Sequence, residues 1–315
     1  MSELKDNYNF SHIYGPVPSR RLGFSLGIDI IPFKTCSFNC IYCQLGPTSK
    51  KTIKRKGYFP SPEILSQIKK VLKSGQRIDY ITFSGSGEPT LNSAIGILIR
   101  EIKKITSIPV AVLTNSSLFT RNSVRKALRA SDLVVPSLDA ATQEIFDKIN
   151  RPHPSLKIEK IIEGLKEFHR EFKGSIWLEI MLAKGVNDSP SHIKKLKEVI
   201  SEINPDKVQL NTVIRPPAEK FASPLNLKKL ERIKNILGEK CEIIAEFDKK
   251  EQIPPSENLE GVILSLIQRR PVTLTDISSS LGKHKNEIIK YLNFLLNEGK
   301  VKLVIHKGLK YYEPL

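Results

Sequence analysis

Six short apolar segments recur along the chain, and each is followed by a stretch with helical periodicity. The strands are predicted at residues 26–31, 78–83, 109–114, 133–138, 176–182 and 207–214. The helices between and around them are predicted at residues 62–73, 93–104, 122–130, 143–148, 158–172 and 193–203. Strands that alternate with helices are typical of parallel sheets, because each helix carries the chain back to start the next strand in the same direction. We therefore predict an α/β fold whose parallel sheet curves into a partial barrel.

Three of the four cysteines lie in one loop directly after the first predicted strand, at Cys36, Cys40 and Cys43. Thiolates this close together can hold an iron–sulfur cluster. A structural zinc site is disfavoured, since it usually needs four ligands and no second pair or nearby histidine follows. Three thiolates are one too few to close a [4Fe–4S] cluster, so one iron would be open to a small molecule.

The compartment expected for this chain is a reducing cytoplasm, which disfavours a disulfide. The opening residues lack the apolar run of a signal peptide. No segment approaches the uncharged span of about 20 residues that a membrane helix requires.

The spacing Cys36-x-x-x-Cys40-x-x-Cys43, with Tyr42 before the last cysteine, resembles the signature of the radical S-adenosylmethionine (radical SAM) superfamily. The resemblance implies that the three thiolates hold three irons of a [4Fe–4S] cluster and that S-adenosylmethionine binds the fourth. One-electron cleavage would then yield methionine and a 5′-deoxyadenosyl radical. It further implies a six-fold (β/α) partial barrel over most of residues 20–250 and an external electron donor such as flavodoxin or ferredoxin.

Motifs at the ends of the predicted strands extend this resemblance. Ser84-Gly85-Ser86-Gly87-Glu88-Pro89 is similar to the family's Gly-Gly-Glu-Pro motif, with Ser86 in place of its first glycine. The resemblance implies that Gly87 and Glu88 lie beside the methionyl ammonium and that Val213 and Ile214 form an apolar wall for adenine. The full set of implied cofactor contacts is Tyr42, Gly85, Ser86, Gly87, Glu88, Asn115, Ser137, Asp139, Val213 and Ile214.

Candidate substrate contacts are basic. Arg20 and Arg21 precede the first predicted strand and are suited to a phosphate or carboxylate, although ordinary surface charge near a loop is the simpler explanation. Lys184 follows the fifth strand, where a lysine in related enzymes faces the substrate. The net charge of +17 favours an anionic partner such as nucleic acid, as does the run from Lys50 to Lys56, but solvated lysines also produce such a balance.

The last part of the chain changes character, so we divide it into a core at residues 1–250 and a second domain at residues 251–315. Residues 253–256 are predicted to be a linker, followed by helices at 258–269, 272–282 and 285–297 and a hairpin at 300–312. Three helices and a hairpin resemble a winged helix-turn-helix domain, a module that binds either nucleic acid or protein. Cys241 is predicted to be a buried strand residue, and His12 and His192 to be solvated.

The leading functional hypothesis is a radical SAM enzyme that modifies a large, anionic substrate such as RNA or tRNA. The chain is similar to the group that includes the tRNA wyosine-synthesis enzymes, partly through residues 14–21 and Gln44-Leu45-Gly46. It lacks that group's second-cluster cysteines, since residues 1–35 contain none. Modification or activation of a protein or peptide is one alternative. A DNA-binding redox regulator without turnover is another, although Glu88, Asn115 and Ser137 argue against it because a sensor needs no cofactor cradle.

Overall fold

The computed structural model describes residues 12–244, 259–283 and 285–315. The predicted linker at 253–256 and the predicted domain boundary at 250/251 lie outside the described residues. No helix in the described ranges is long and apolar enough to cross a membrane.

The first part of the chain builds one eight-stranded sheet. Its strands are β1 (Ile13–Ser19), β2 (Gly23–Ile28), β5 (Tyr80–Phe83), β6 (Val110–Thr114), β7 (Leu133–Pro136), β8 (Ser175–Leu182), β9 (Lys207–Thr212) and β10 (Cys241–Ile243). They lie in the order β1-β2-β5-β6-β7-β8-β9-β10. A separate short pair joins β3 (Thr35–Cys36) to β4 (Lys50–Lys51). The pair β1/β2 is antiparallel, whereas every pair from β2 to β10 is parallel. The predicted α/β alternation is therefore confirmed, within a mixed sheet.

Seven helices accompany this sheet and bury one apolar face each. They are α1 (Ser61–Lys73), α2 (Ile95–Ile105), α3 (Asn122–Leu128), α4 (Gln143–Ile149), α5 (Ile158–Glu171), α6 (Pro190–Ile203) and α7 (Leu227–Leu237). In α5, for example, Ile161, Leu165 and Phe168 recur every three or four residues and are all buried. Burying each such side chain contributes roughly 1.5–3 kcal/mol.

Two features at the start of the chain differ from the prediction. The first parallel strand ends at Ile28 instead of residue 31, because Asp29 leaves the ladder and enters a buried hydrogen-bond network. The predicted lead-in contains β1, which carries Pro16 and Pro18. Prolines are tolerated there because β1 is an edge strand, where a missing N–H interrupts fewer ladder bonds. The prediction for Cys241 is confirmed: it is buried in β10, which pairs with β9.

The C-terminal unit, defined here as residues 259–283 and 285–315, has three helices and a small antiparallel sheet. Its elements are α8 (Leu259–Arg269), β11 (Val272–Thr273), α9 (Leu274–Leu281), α10 (Lys285–Asn297), β12 (Val301–His306) and β13 (Leu309–Pro314). The strands pair in the order β11-β13-β12. Thr273 begins α9 with a capping box, exchanging hydrogen bonds with Asp276. Val17 of β1 belongs to the apolar cluster of this unit, so the unit packs on the edge of the large sheet.

Candidate functional site

The cysteine loop lies between β2 and α1 and is fixed by its own apolar residues. Phe38 is buried and meets Phe146 edge to face at 5.2 Å, and Ile41 is fully buried. The Ile41 amide donates to the Ile149 carbonyl at 3.0 Å, which attaches the loop to the end of α4. These contacts hold Cys36, Cys40 and Cys43 in place, and all three are free thiols.

Each of the three sulfurs accepts at least one hydrogen bond from a side-chain N–H group. Lys34 Nζ lies 3.0 Å from Cys43 Sγ, and the amides of Asn115 and Asn150 lie 3.4 Å from Cys36 Sγ and Cys40 Sγ. Lys34 is 4% exposed, so its charge is held close to the thiols. The sequence analysis identified Asn115 but missed Lys34 and Asn150. N–H donors and a nearby cation are what stabilises negatively charged sulfur.

The thiols suit a cluster better than a single ion. Burial raises the pKa of Cys36 to about 12, and burial together with Asp139 raises the pKa of Cys40 well above its ordinary value. Thiolates at such positions require a bound cation that shares their charge. No group of three or more His, Cys, Asp or Glu side chains in the described ranges is placed to hold one metal ion. Three soft sulfurs in one loop fit an iron–sulfur cluster, whereas a single structural zinc ion usually takes four ligands.

Glu88 follows β5 and its carboxylate accepts four hydrogen bonds. Its Oε1 accepts from Thr90 N, Thr90 Oγ1 and Thr114 Oγ1, at 3.0, 2.5 and 2.6 Å. Its Oε2 accepts only from Asn115 N, at 2.7 Å. Burial raises the pKa of Glu88, and these hydrogen bonds oppose that shift. An ionised carboxylate has about four lone-pair sites, so Oε2 retains capacity for one more donor.

Gly87, which precedes Glu88, lets the loop after β5 lie directly against the backbone of β3. A Cβ added to Gly87 would lie 2.0 Å from the carbonyl oxygen of Thr35, which no side chain tolerates. The Glu88 amide donates to the same carbonyl at 3.1 Å. Glycine is therefore required at position 87 because two backbone segments touch there.

Tyr42 and Asp139 form a second buried network. Tyr42 Oη donates to Asp139 Oδ2 at 2.5 Å, Asn150 Nδ2 donates to the same oxygen at 2.7 Å, and Met181 N donates to Oδ1 at 2.8 Å. Burial raises the pKa of Asp139 to about 6. Asp139 thus supports Tyr42 and Asn150 from beneath.

A cavity of about 400 Å³ opens beside these groups, a volume in the range of small-molecule sites. The predicted residues that line it are Cys36, Tyr42, Cys43, Gly85, Gly87, Glu88, Asn115, Ser137, Val213, Ile214, Arg20 and Arg21. Four others are not among its lining residues: Cys40, Ser86, Asp139 and Lys184. Lys184 is exposed on the loop after β8. Twelve of the sixteen predicted site residues therefore line one cavity.

The two predicted arginines have different partners. Arg21 forms an ion pair with Glu179 at 3.0 Å and also donates to Gln209 at 3.1 Å. Arg20 donates to the neutral Asn211 Oδ1, at 3.2 Å. Burial lowers the pKa of Arg20 to about 10.

The C-terminal unit forms part of the cavity wall, which the sequence analysis did not anticipate. Leu266, Arg269 and Arg270 line the cavity. Arg269 forms an ion pair with Asp29, and Asp29 also accepts from the Ser86 hydroxyl at 2.5 Å. On the far side, Tyr311 Oη donates to the Ile214 carbonyl at 3.1 Å. Contacts this distant in sequence leave no local signal, so the pattern of 251–315 alone suggested an independent module.

The prediction that His12 and His192 are solvated was wrong. His12 is 3% exposed, and its ring lies 3.3 Å from the Asp29 carbonyl. His192 is 4% exposed: its Nδ1 lies 2.7 Å from the Asn187 carbonyl, and its Nε2 accepts from Ala141 N at 3.1 Å. Both rings hydrogen-bond to backbone groups inside the fold. Their polar neighbours in the sequence therefore gave no sign that they are buried.

Comparisons with known proteins agree with this geometry. A model of the radical SAM superfamily matches residues 30–196. The chain is 37% identical over 306 residues to a UPF0026 protein of Methanocaldococcus jannaschii, covering 95% of this chain and 94% of that protein. It is 38% identical over 314 residues to a Brachyspira hyodysenteriae protein named GTPase Obg, covering 99% of this chain but 46% of that protein. The chain thus spans about half the length of that relative.

Two further matches are more distant. A probable dual-specificity RNA methyltransferase RlmN of Thermotoga sp. strain RQ2 is 27% identical over 211 residues, covering 65% of this chain and 59% of that protein. A radical SAM methyltransferase structure from Sphaerobacter thermophilus has a TM-score of 0.53 at 18% identity, covering 70% of this chain and 65% of that one. The structural match concerns the fold alone.

Proposed function

Because this chain belongs to the radical SAM superfamily, we propose that Cys36, Cys40 and Cys43 bind three irons of a [4Fe–4S] cluster and that the adjoining cavity binds S-adenosylmethionine. The chain is a radical SAM enzyme, and members of the superfamily use these two cofactors. When bound, the cluster would pass one electron from an external donor to S-adenosylmethionine, and cleavage of its sulfonium–C5′ bond would give methionine and the 5′-deoxyadenosyl radical. The observation that carries the residue assignment is that two free thiols, Cys36 and Cys43, and Glu88 line one cavity, with the free thiol of Cys40 between them in the same loop.

The side chains around the cavity have complementary roles in this proposal. Glu88 Oε2, with one donor already bound, receives the methionyl ammonium beside Gly85, Ser86 and Gly87. Its Oε1 is held by three donors, which fixes the carboxylate before any ligand arrives.

The remaining predicted contacts complete the cradle. Asn115 and Ser137 present polar groups from the ends of β6 and β7, and Val213 and Ile214 supply the apolar wall for adenine. Tyr42 is held by Asp139, which gives Asp139 a positioning role below the cavity.

The substrate class that we propose is a large anionic molecule such as RNA or tRNA. The net charge of +17 supports it. The run from Lys50 to Lys56 supports it too, since four of its seven residues are exposed: Lys50, Lys51, Lys54 and Lys56. One relative carries the name of an RNA methyltransferase. The three helices and antiparallel strands of the C-terminal unit are compatible with the predicted winged helix-turn-helix arrangement, and the parallel strands with the predicted partial barrel.

Reconstitution tests the proposed chemistry. Protein loaded with iron and sulfide should release 5′-deoxyadenosine and methionine from S-adenosylmethionine when dithionite is added. Replacing Cys40 by Ala should abolish both the cluster absorbance and the cleavage. Cys241→Ala is the matched control, because this fourth cysteine is buried in β10 away from the cavity, and it should retain both. A cluster that forms without cleavage would instead favour a redox regulator.

The substrate class is tested separately by crosslinking the protein in cells and sequencing the RNA that co-purifies. Recovery of tRNA that weakens steeply with salt would support an RNA substrate. Recovery of one protein partner without RNA would favour protein or peptide modification.

A further inference from the structure

Five arginines line the cavity, far more positive charge than its lining acids can balance. They are Arg20, Arg21, Arg215, Arg269 and Arg270. The acids that line it are Glu88 and Glu179. Two of the arginines are paired, Arg21 with Glu179 and Arg269 with Asp29. The other three form no ion pair with an acid in the described ranges.

These three unpaired arginines come from three separate parts of the fold. Arg20 follows β1, Arg215 follows β9, and Arg270 follows α8 in the C-terminal unit. Arg20 and Arg215 donate to neutral amide oxygens, Asn211 Oδ1 at 3.2 Å and Gln44 Oε1 at 3.3 Å. Arg270 makes no hydrogen bond to any residue in the described part of the chain.

The three positive charges act on one another. Burial is the main cause that lowers the pKa of Arg215, and the charges of Arg270 and Arg20 lower it further. The acid whose charge opposes this at Arg215 is Asp276, whose carboxylate already accepts from the Thr273 amide at 2.9 Å. At Arg20 it is Glu179, which already pairs with Arg21. Mutual repulsion in a partly buried place disfavours the ligand-free state, and a bound anion relieves it.

We propose that Arg20, Arg215 and Arg270 form one anion-binding site in the cavity that takes a phosphate or carboxylate group, so that the C-terminal unit completes the reaction site. Guanidinium groups suit both anions because their planar N–H donors match pairs of oxygens. The role of this anion site in catalysis rests on the proposed function, whereas the binding of an anion there does not. The two sources of the anion are the methionyl carboxylate of S-adenosylmethionine and an acidic group of the second substrate.

The binding test uses the full-length protein without its cluster. Pyrophosphate and inorganic phosphate are titrated calorimetrically at low ionic strength. We expect one pyrophosphate site, weakened about tenfold or more in Arg20→Gln, Arg215→Gln and Arg270→Gln. Arg232→Gln, an exposed arginine on α7, is the matched control and should bind as the wild type does. Failure of both anions to bind the wild type, or equal binding by all variants, would overturn the inference.

Folding of the variants is checked by thermal unfolding without ligand. Because the three arginines repel one another, Arg270→Gln should unfold at the same or a higher temperature than the wild type, and Arg270→Lys should retain most of the binding. A lower unfolding temperature for Arg270→Gln would indicate a structural role and count against the site.

The source of the anion is determined by measuring, by equilibrium dialysis, how tightly the reconstituted protein binds S-adenosylmethionine and its decarboxylated analogue. If Arg215→Gln weakens S-adenosylmethionine but not its decarboxylated analogue, the anion is the methionyl carboxylate. If neither is weakened, it belongs to the second substrate. Equal weakening of both would indicate general damage and contradict the inference. Cleavage by wild-type protein that binds no anion would overturn only this inference, whereas anion binding without cleavage would overturn only the proposed function.

Discussion

Lys34 is the residue whose placement adds most to the thiol loop. It is buried, has a backbone φ of 56°, and points its ammonium at Cys43. In the proposed cluster assignment, this buried lysine lies beside the group that stores the electron. Charge near an iron–sulfur cluster shifts its reduction potential.

Replacing Lys34 by Met should therefore leave the cluster assembled but make its reduction potential more negative by on the order of tens of millivolts. The measurement is a redox titration followed by electron paramagnetic resonance. Lys54→Met removes an exposed lysine of the neighbouring basic run and serves as control. An unchanged potential for Lys34→Met would show that its charge does not reach the cluster.

His192 makes stability depend on pH. Burial lowers its pKa, so between that value and the unfolded value of about 6.5 the unfolded chain binds a proton that the folded chain does not. The stabilisation is thus present above pH 6.5 and is lost as the pH falls. We expect the free energy of unfolding of the wild type to exceed that of His192→Gln by about 1–2 kcal/mol at pH 8. The reason is that the variant loses the hydrogen bonds to the backbones of Ala141 and Asn187.

That stability difference should narrow at pH 5.5, as measured by urea unfolding at the two pH values. His153→Gln, whose ring contacts Ser155 at the surface, is the control and should show a small difference at both. If the difference in free energy of unfolding between the wild type and His192→Gln were the same at both pH values, it would contradict the assignment of a neutral buried ring.

The element that most depends on close contact is the loop after β5. Gly87→Ala would place a methyl group 2.0 Å from the Thr35 carbonyl, so the loop or the cysteine strand must move. We expect the free energy of unfolding to fall by roughly 2–3 kcal/mol, as measured by thermal unfolding. We also expect less cluster to be incorporated, as measured by the iron content. Gly57→Ala, which meets nothing within 4 Å, should change neither. Normal stability and iron content in Gly87→Ala would show that this contact is not required.

The elements that sequence analysis located are those with a local signal. Alternating apolar segments predicted the strands from residue 78 onward, and the strand-end motifs predicted the residues that line the cavity. What it missed depends on distant partners: Asn150 reaches Cys40 across 110 residues, and β1 becomes a strand only because β2 pairs with it. Gly15 and Pro16 of that strand are residues typical of turns, so the sequence did not predict a strand there. Tertiary contacts override local preference at such positions.

At the scale of the whole molecule, one ion pair joins the C-terminal unit to the sheet. Asp29 is 1% exposed and Arg269 is 12% exposed, and the arginine also stacks on Tyr14 with its guanidinium 4.8 Å from the ring centre. Removing one member of such a pair leaves the other charge buried, which typically costs about 3–5 kcal/mol. The docking of the C-terminal unit should therefore be sensitive to this single residue.

Arg269→Ala should increase hydrogen exchange in α8 and β1 while leaving β6 and β7 protected, as measured by mass spectrometry. Arg129→Ala removes an exposed ion pair with Glu171 and should change exchange little. Unaltered exchange in α8 of Arg269→Ala would show that apolar packing alone holds the unit in place.

The two ends of the large sheet also determine how the molecule behaves at high concentration. An open sheet offers unpaired backbone groups at both edges, which another chain can extend by strand addition. Here one edge strand is β10, with three residues, and the other is β1, whose two prolines lack an N–H and which α8 and α9 contact. Both edges are therefore poor templates for intermolecular β-pairing, and the fold resists aggregation by that route.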